Sequence, residues 1–166
     1  MIKVLFLCLF LTLLGIAWEL SPDAVDCFNL LGDGMTMGST NFLLRQAEKE
    51  KIKKAGEEGL DAFLTAGLST QALKLITHCK RPNGESYDSF PSGHTAMAFA
   101  SAKVFSHYYP ENKVLYYIIA IGVAVARVQS GAHYTRDVIG GALVGLWSGE
   151  LALEGKGVLT ILKKKF

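Results

Sequence analysis

The 166-residue chain is 50% hydrophobic and 19% charged, with 17 basic and 15 acidic side chains leaving a formal charge of +2. Such a length suits a single domain, 1–166, and so small a charge, with no basic stripe interleaved with aromatics, excludes a nucleic-acid surface. The apolar content points instead to a membrane-embedded chain or to a secreted one with a leader.

Residues 2–18 are almost wholly apolar after Lys3 and predict a first transmembrane helix or a secretory signal, with Gly15 and Ala17 near a small-residue cleavage site. Glu19 to Asp33 reads as an acidic, lysine-free connection, and Asp33-Gly34 as a helix start. A second helix is expected from Met35 into the charged run Arg45–Lys54, followed by a turn at Gly56–Gly59. The third, from Leu60 to Cys79, ends at Lys74 and Arg81; seven residues apart, these cations can face one way before Pro82 stops the helix. Pro91-Ser92-Gly93-His94 opens a fourth helix, to Tyr109, rich in the small residues Ala96, Ala98, Ala100, Ser101 and Ala102. The fifth runs from Lys113 to Val128. The sixth begins near Tyr134 and carries the stripe Gly140, Gly141, Gly145 and Gly149, read as a packing surface. No strand pairs or repeats are visible. The expectation is an all-α, six-helix membrane-embedded bundle.

With a cytoplasmic N-terminus, one side of that bundle collects Lys3, Arg45, Lys49, Lys51, Lys53, Lys54, Lys113, Lys156 and Lys163–Lys165, the positive-inside bias. The same threading brings the remaining polar motifs to the outer face. Cys8, Cys27 and Cys79 fit no zinc spacing and no disulfide framework. Cys27 and Cys79 share the outer side, where a disulfide is one reading and free buried thiols the better one.

The outer-face motifs share one chemistry. Arg127-Val-Gln-Ser-Gly-Ala-His133-Tyr-Thr-Arg-Asp137 places a cation, an imidazole and a carboxylate within eleven residues, with Ser130-Gly131 to break one helix and let another begin. Asp137 falls one turn beyond His133 on the same face, close enough to hold the ring. Lys74 and Arg81 add two cations. Ser92 and Gly93 offer a hydroxyl and backbone N–H groups at a positive helix end, where anions bind. Three cations, two histidines, one carboxylate and a helix N-terminus suit a phosphoryl group. Singly, each residue has a plainer role, but ionisable groups clustered in an apolar bundle are costly and usually functional.

Lys74-(six residues)-Arg81-Pro82, Pro91-Ser92-Gly93-His94 and Arg127-(five residues)-His133-(three residues)-Asp137 together resemble the three-part signature of the type 2 phosphatidic acid phosphatase superfamily. Ala126 stands where that family usually has serine, and the loop from Pro82 to Pro91 is short. The resemblance implies an integral lipid phosphatase at the periplasmic face of a bacterial inner membrane, acting on lipid A 1-phosphate, polyprenyl diphosphate, phosphatidylglycerol phosphate or phosphatidic acid. It implies attack by His133 to give a phosphohistidine, with Asp137 fixing the ring tautomer and His94 protonating the leaving alkoxide. Lys74, Arg81, Arg127, Ser92 and Gly93 would cradle the phosphate oxygens. No metal, cofactor, nucleic acid or protein partner is implied. A secreted acid phosphatase for soluble esters and a vanadate-dependent haloperoxidase share the signature and stand as alternatives. Outside it, His78 and His107 read as surface histidines, Lys103 as pairing with Glu150 or snorkelling, the latter the safer reading, and Arg136 as an interfacial anchor.

Overall fold

The computed structural model describes residues 21–45 and 49–165, all of them helical or in short connections. The expectations for residues 1–20, including the first apolar helix or signal, lie outside that range. Seven α-helices follow one another: α1 (Pro22–Leu31), α2 (Gly34–Arg45), α3 (Glu50–Thr77), α4 (Gly93–Tyr108), α5 (Lys113–Gln129), α6 (Thr135–Leu153) and α7 (Val158–Lys165), with a 3₁₀ turn at Pro110–Asn112 before α5.

The helical class is as expected; the division into helices is not. The supposed connection before Asp33 contains α1, which Ser21 caps by accepting the Ala24 N–H at 3.3 Å and Pro22 begins at its first position. Asp33 does start the next helix, accepting the Thr36 N–H at 3.3 Å. The expected turn at Gly56–Gly59 is absent, and α3 runs through it as one 28-residue helix. Both glycines are buried against α2: a side chain at Gly56 would strike the backbone of Leu44 and Arg45, and one at Gly59 would strike Asn41. They allow close approach; they do not bend the chain. α3 then stops at Thr77 through His78, whose left-handed backbone (φ 43°) forms the C-cap, with its N–H on the Lys74 carbonyl. The lysine tail forms α7.

α4 lies at the centre, between α3, α5 and α6. Its alanines make two cores, Ala96, Ala100 and Val104 with Ala62, Ala66 and Ala152, and Ala98 and Ala102 with Ala120 and Val123. Against it, Gly141, Gly145 and Gly149 of α6 repeat every fourth residue and meet the carbonyl oxygens of Ser92, Ala96 and Ala100. A Cβ would come 2.5 Å from the first and 3.0 Å from the last. This is the tight packing expected of the stripe; Gly140 instead faces the Phe90 ring. Lys103 does not snorkel alone, since it pairs with Glu150 at 2.6 Å. Cys27 and Cys79 are free thiols, and Cys27 is exposed rather than buried.

The alternation of helix directions gives the bundle two ends. One gathers the C-termini of α3 and α5 and the N-termini of α4 and α6; the other gathers Arg45, the start of α3, Lys113 and α7. Between them, α6 exposes Ile139, Leu143 and Trp147 in one stripe, and α3 exposes Leu68, Leu75 and Ile76. Among the described residues no helix is long and apolar enough to cross a membrane.

Candidate active site

All three sequence motifs meet at the first end. Lys74 projects from the last turn of α3, Ser92 to His94 begin α4, Arg127 ends α5, and His133 and Asp137 flank the start of α6. Backbone bonds tie these segments together: Ser92 N–H to the Asp137 carbonyl at 2.9 Å, and His133 N–H to the Arg127 carbonyl at 3.1 Å. The Thr77 hydroxyl donates to the Phe90 carbonyl at 2.9 Å, fixing the end of α3 beside the segment that enters α4.

Arg81 is not on a helix with Lys74, as its spacing suggested, because α3 has already ended. A tight loop carries it. The Arg81 N–H donates to the Ser86 carbonyl at 2.9 Å, the Gly84 N–H returns to the Arg81 carbonyl at 3.1 Å, and the Ser89 N–H reaches the Cys79 carbonyl at 2.8 Å. What draws the two cations together is Asp88, a residue the sequence reading did not single out. Its carboxylate takes a two-pronged contact from Arg81, Nε at 2.8 Å and the second guanidinium nitrogen at 2.9 Å, while Lys74 Nζ stands 3.4 Å away. The Ser86 hydroxyl donates to the same carboxylate. The Arg81 bond, with Ser86 and the Lys74 charge, holds the Asp88 carboxyl well below the usual carboxylate range. Arg127 is oriented from another direction: it donates to Asn29 Oδ1 of α1 at 3.0 Å, and its buried Nε has no partner among the described residues.

Ser92 is fully buried and caps α4, its Oγ accepting from the Thr95 hydroxyl at 3.0 Å and facing the Thr95 N–H at 3.5 Å. As first-turn residues, Gly93 and His94 carry N–H groups without intrahelical acceptors at the positive end of the helix. Asp137, at the third position of α6, is fully buried. It accepts the Tyr134 N–H at 2.9 Å, half of a capping box, and the Ser89 hydroxyl. His133, 2% exposed, has Nδ1 3.8 Å from Asp137 Oδ2, longer than a hydrogen bond. His133 Nδ1 and Asp137 Oδ1 are both buried without a hydrogen bond among the described residues, so a small rotation of the ring toward the carboxylate would give Nδ1 a partner.

The electrostatics follow from this crowding. Burial, then the charges of Arg81, Arg127 and Lys74, lower the His133 pKa from 6.5 to about 4. Burial and Arg127, with smaller contributions from Lys74 and Arg81, likewise lower His94 to about 4, against the opposing charge of Asp33. Both rings are therefore neutral at physiological pH. An arriving dianion would offset the cations and restore basicity. Arg136, outside the motifs and 68% exposed in its side chain, stands at the edge of the cluster, its Nε 3.6 Å from Asp137 Oδ1 and its guanidinium 5.0 Å from the Tyr134 ring centroid. His78 and His107 are exposed, as expected.

Four residues with a hand in this arrangement went unread in the sequence as site residues: Asp88, Ser89, Asn29 and Asp33. Asp88 had a faint signal, a lone carboxylate between two cationic motifs. Asn29 had none, because its partner is 98 residues away.

Residues 75–154 match the PAP2 superfamily. A lipid A 1-phosphatase of Porphyromonas gingivalis is 41% identical over 75 residues, 43% of this chain and 17% of the relative. Another, from Rhizobium johnstonii, is 39% identical over 61 residues, 37% of this chain and 25% of the relative. The bacitracin transport permease protein BcrC of Bacillus licheniformis is 36% identical over 75 residues, 45% of this chain and 34% of the relative. The chain thus matches about a third or less of each curated relative. The crystal structure of Aquifex aeolicus LpxE superposes with a TM-score of 0.71 at 28% identity, covering 89% of this chain and 94% of that one.

Proposed function

From the premise that the chain belongs to the PAP2 superfamily, we propose that it is a metal-independent phosphatase of membrane lipids, with lipid A 1-phosphate the favoured substrate and polyprenyl diphosphate, phosphatidylglycerol phosphate and phosphatidic acid after it. The observation that carries the lipid reading is the exposed aliphatic surface on the helices that bear the cation cluster. Leu75 and Ile76, 74% and 78% exposed, adjoin Lys74; Leu30 and Leu31 adjoin Asn29; Ile139 follows Asp137 by two residues. A soluble ester gives no reason for exposed aliphatic side chains on the site-bearing helices, whereas acyl or prenyl chains do.

His133 Nδ1 faces Asp137, so Nε2 is the attacking atom. Its lone pair forms the N–P bond as the bond from phosphorus to the lipid oxygen breaks, and the oxygen takes a proton from His94, which has taken up that proton once the bound phosphate dianion offsets the neighbouring cations. Water then attacks the phosphohistidine while His94 accepts its proton, releasing phosphate and restoring His133. Lys74, Arg81 and Arg127 neutralise the non-bridging oxygens, assisted by the Gly93 N–H. The buried Ser92 hydroxyl, which supplies the acceptor of the cap, retains its own proton to donate. Asp137 holds the ring and supports its charge once phosphorylated.

The proposed seat is the bacterial inner membrane, crossed more than once, with the site-bearing helix ends standing clear of hydrocarbon on the periplasmic side. The lysines at the opposite end and the apolar stripes of α3 and α6 between the ends support it. The test is phosphate release in detergent, with a chelator present, from the four lipids and a soluble ester. The expected result is a marked preference for one lipid, and loss of about a thousandfold or more of turnover in His133→Ala. Equal hydrolysis of the soluble ester, or an active His133→Ala, refutes the reading.

A further inference from the structure

Arg127 is the cation of the cluster whose partner lies outside residues 75–154, the part of the chain that matches the family. That partner, Asn29, belongs to α1, and the packing of α1 on α5 fixes where it stands. A side chain at Gly122 would strike the Phe28 ring, so the ring sits directly over the α5 backbone. Gly32 is buried against the fully buried Val123, where a Cβ would come 2.5 Å from Cγ1. Asn29 lies between Phe28 and Gly32, so both of these close approaches pin its Oδ1 at 3.0 Å from the Arg127 guanidinium.

The chemistry of the partner matters as much as its place. The charge of Arg81 acts on Arg127, and like charges push the two guanidiniums apart unless each is held. On Arg81 the holding group is the Asp88 carboxylate, which takes two N–H groups and offsets the charge. Asn29 takes one N–H and offers no charge in return. Asp23, Asp26 and Asp33 occupy the same segment, yet the residue that meets the guanidinium is an amide. The half-buried Arg127 is thus aimed without being neutralised.

We propose that Asn29 is a positioning residue for Arg127: it directs the guanidinium toward the phosphoryl group and leaves the positive charge for the substrate, so that α1 completes the anion site of the helices that follow it. Lys74 and Arg81 exchange the Asp88 carboxylate for phosphate, whereas Arg127 gives up nothing charged. The inference rests on the phosphatase reading, from which it takes the identity of the anion.

Calorimetric titration of inorganic phosphate into the full chain in detergent, beside the melting temperature of each variant, tests it. Asn29→Asp has the same shape and keeps the contact but adds the missing negative charge. It is expected to bind phosphate about tenfold more weakly while melting at or above the temperature of wild type. Asn29→Ala deletes the contact, leaves the charge undirected, and should bind about threefold more weakly. A residue that only docked α1 would give the reverse order, since Asp preserves what Ala removes. Should Asn29→Asp fail to fold, Asn29→Ala is read against Arg127→Ala: with the guanidinium gone, the Asn29 substitution is expected to cost no further phosphate affinity. Affinity unchanged by either single substitution, weaker affinity in Asn29→Ala than in Asn29→Asp, or a full Asn29→Ala cost in the Arg127→Ala background would overturn the proposal. A wild type that binds no phosphate would sink the phosphatase reading as well.

Discussion

Asp88 engages two of the cations that the proposed reaction assigns to phosphate, Lys74 and Arg81. Its carboxylate is 44% exposed on a short loop, so an incoming anion can displace it. Asp88→Asn is expected to tighten inhibition by inorganic phosphate about tenfold, by removing the charged competitor; a weaker inhibitor would show that Asp88 orients the cations instead. His133 supplies a second prediction. Unfolded, the ring takes a proton near 6.5; folded, it resists until about 4. The unfolded state therefore binds more protons between these values, and stability falls as pH drops through that window, by on the order of 3 kcal/mol. Melting temperature should decline from pH 7 to pH 4, less steeply in His133→Ala and less steeply with phosphate bound. The eight motif residues were legible because each motif is a fixed local spacing. Asp88 and Asn29 were not, because what they do depends on side chains brought to them only by the fold, across 14 and 98 residues.

Among the elements, the interface of α4 and α6 sets the spacing of the site, since it joins the His94 segment to the Asp137 segment. Gly145→Ala places a methyl group against the Ala96 carbonyl, which is backbone and cannot turn aside. A loss of about 1–3 kcal/mol is expected from the denaturation midpoint, with a further loss of activity as the segments separate. Gly131→Ala is the control: its φ is +68° but nothing lies within 4 Å of the added methyl, so only backbone strain remains. The glycines of α6 were readable as packing because they recur in helical register within an apolar run. Gly56 and Gly59 were misread as a turn because they follow a charged run with the same composition a loop would have. Only the buried face of α2 reveals why they are small. α7 escaped notice for a related reason: its clasp, Asp61, lies on α3, and a terminal lysine run alone suggests a solvated tail.

On the scale of the whole molecule, alternating helix directions separate two kinds of positive charge, one folded inward on a carboxylate and an amide, the other opened toward solvent. The all-helical class and the meeting of three motifs at one end were visible in the sequence; the number of helices was not, since short helices such as α1 leave little periodic signal. One consequence lies in the unbroken length of α3. Lys54 and Lys74 stand twenty residues apart on it, roughly 30 Å along its axis, close to the thickness of a bilayer's hydrocarbon. In the membrane seat proposed for the chain, the helix would act as a caliper, one jaw at each headgroup plane. Lipids with much shorter or longer tails cannot meet both jaws at once, so turnover in nanodiscs of graded chain length is expected to pass through a maximum. A flat profile would mean that the two ends do not measure the same bilayer.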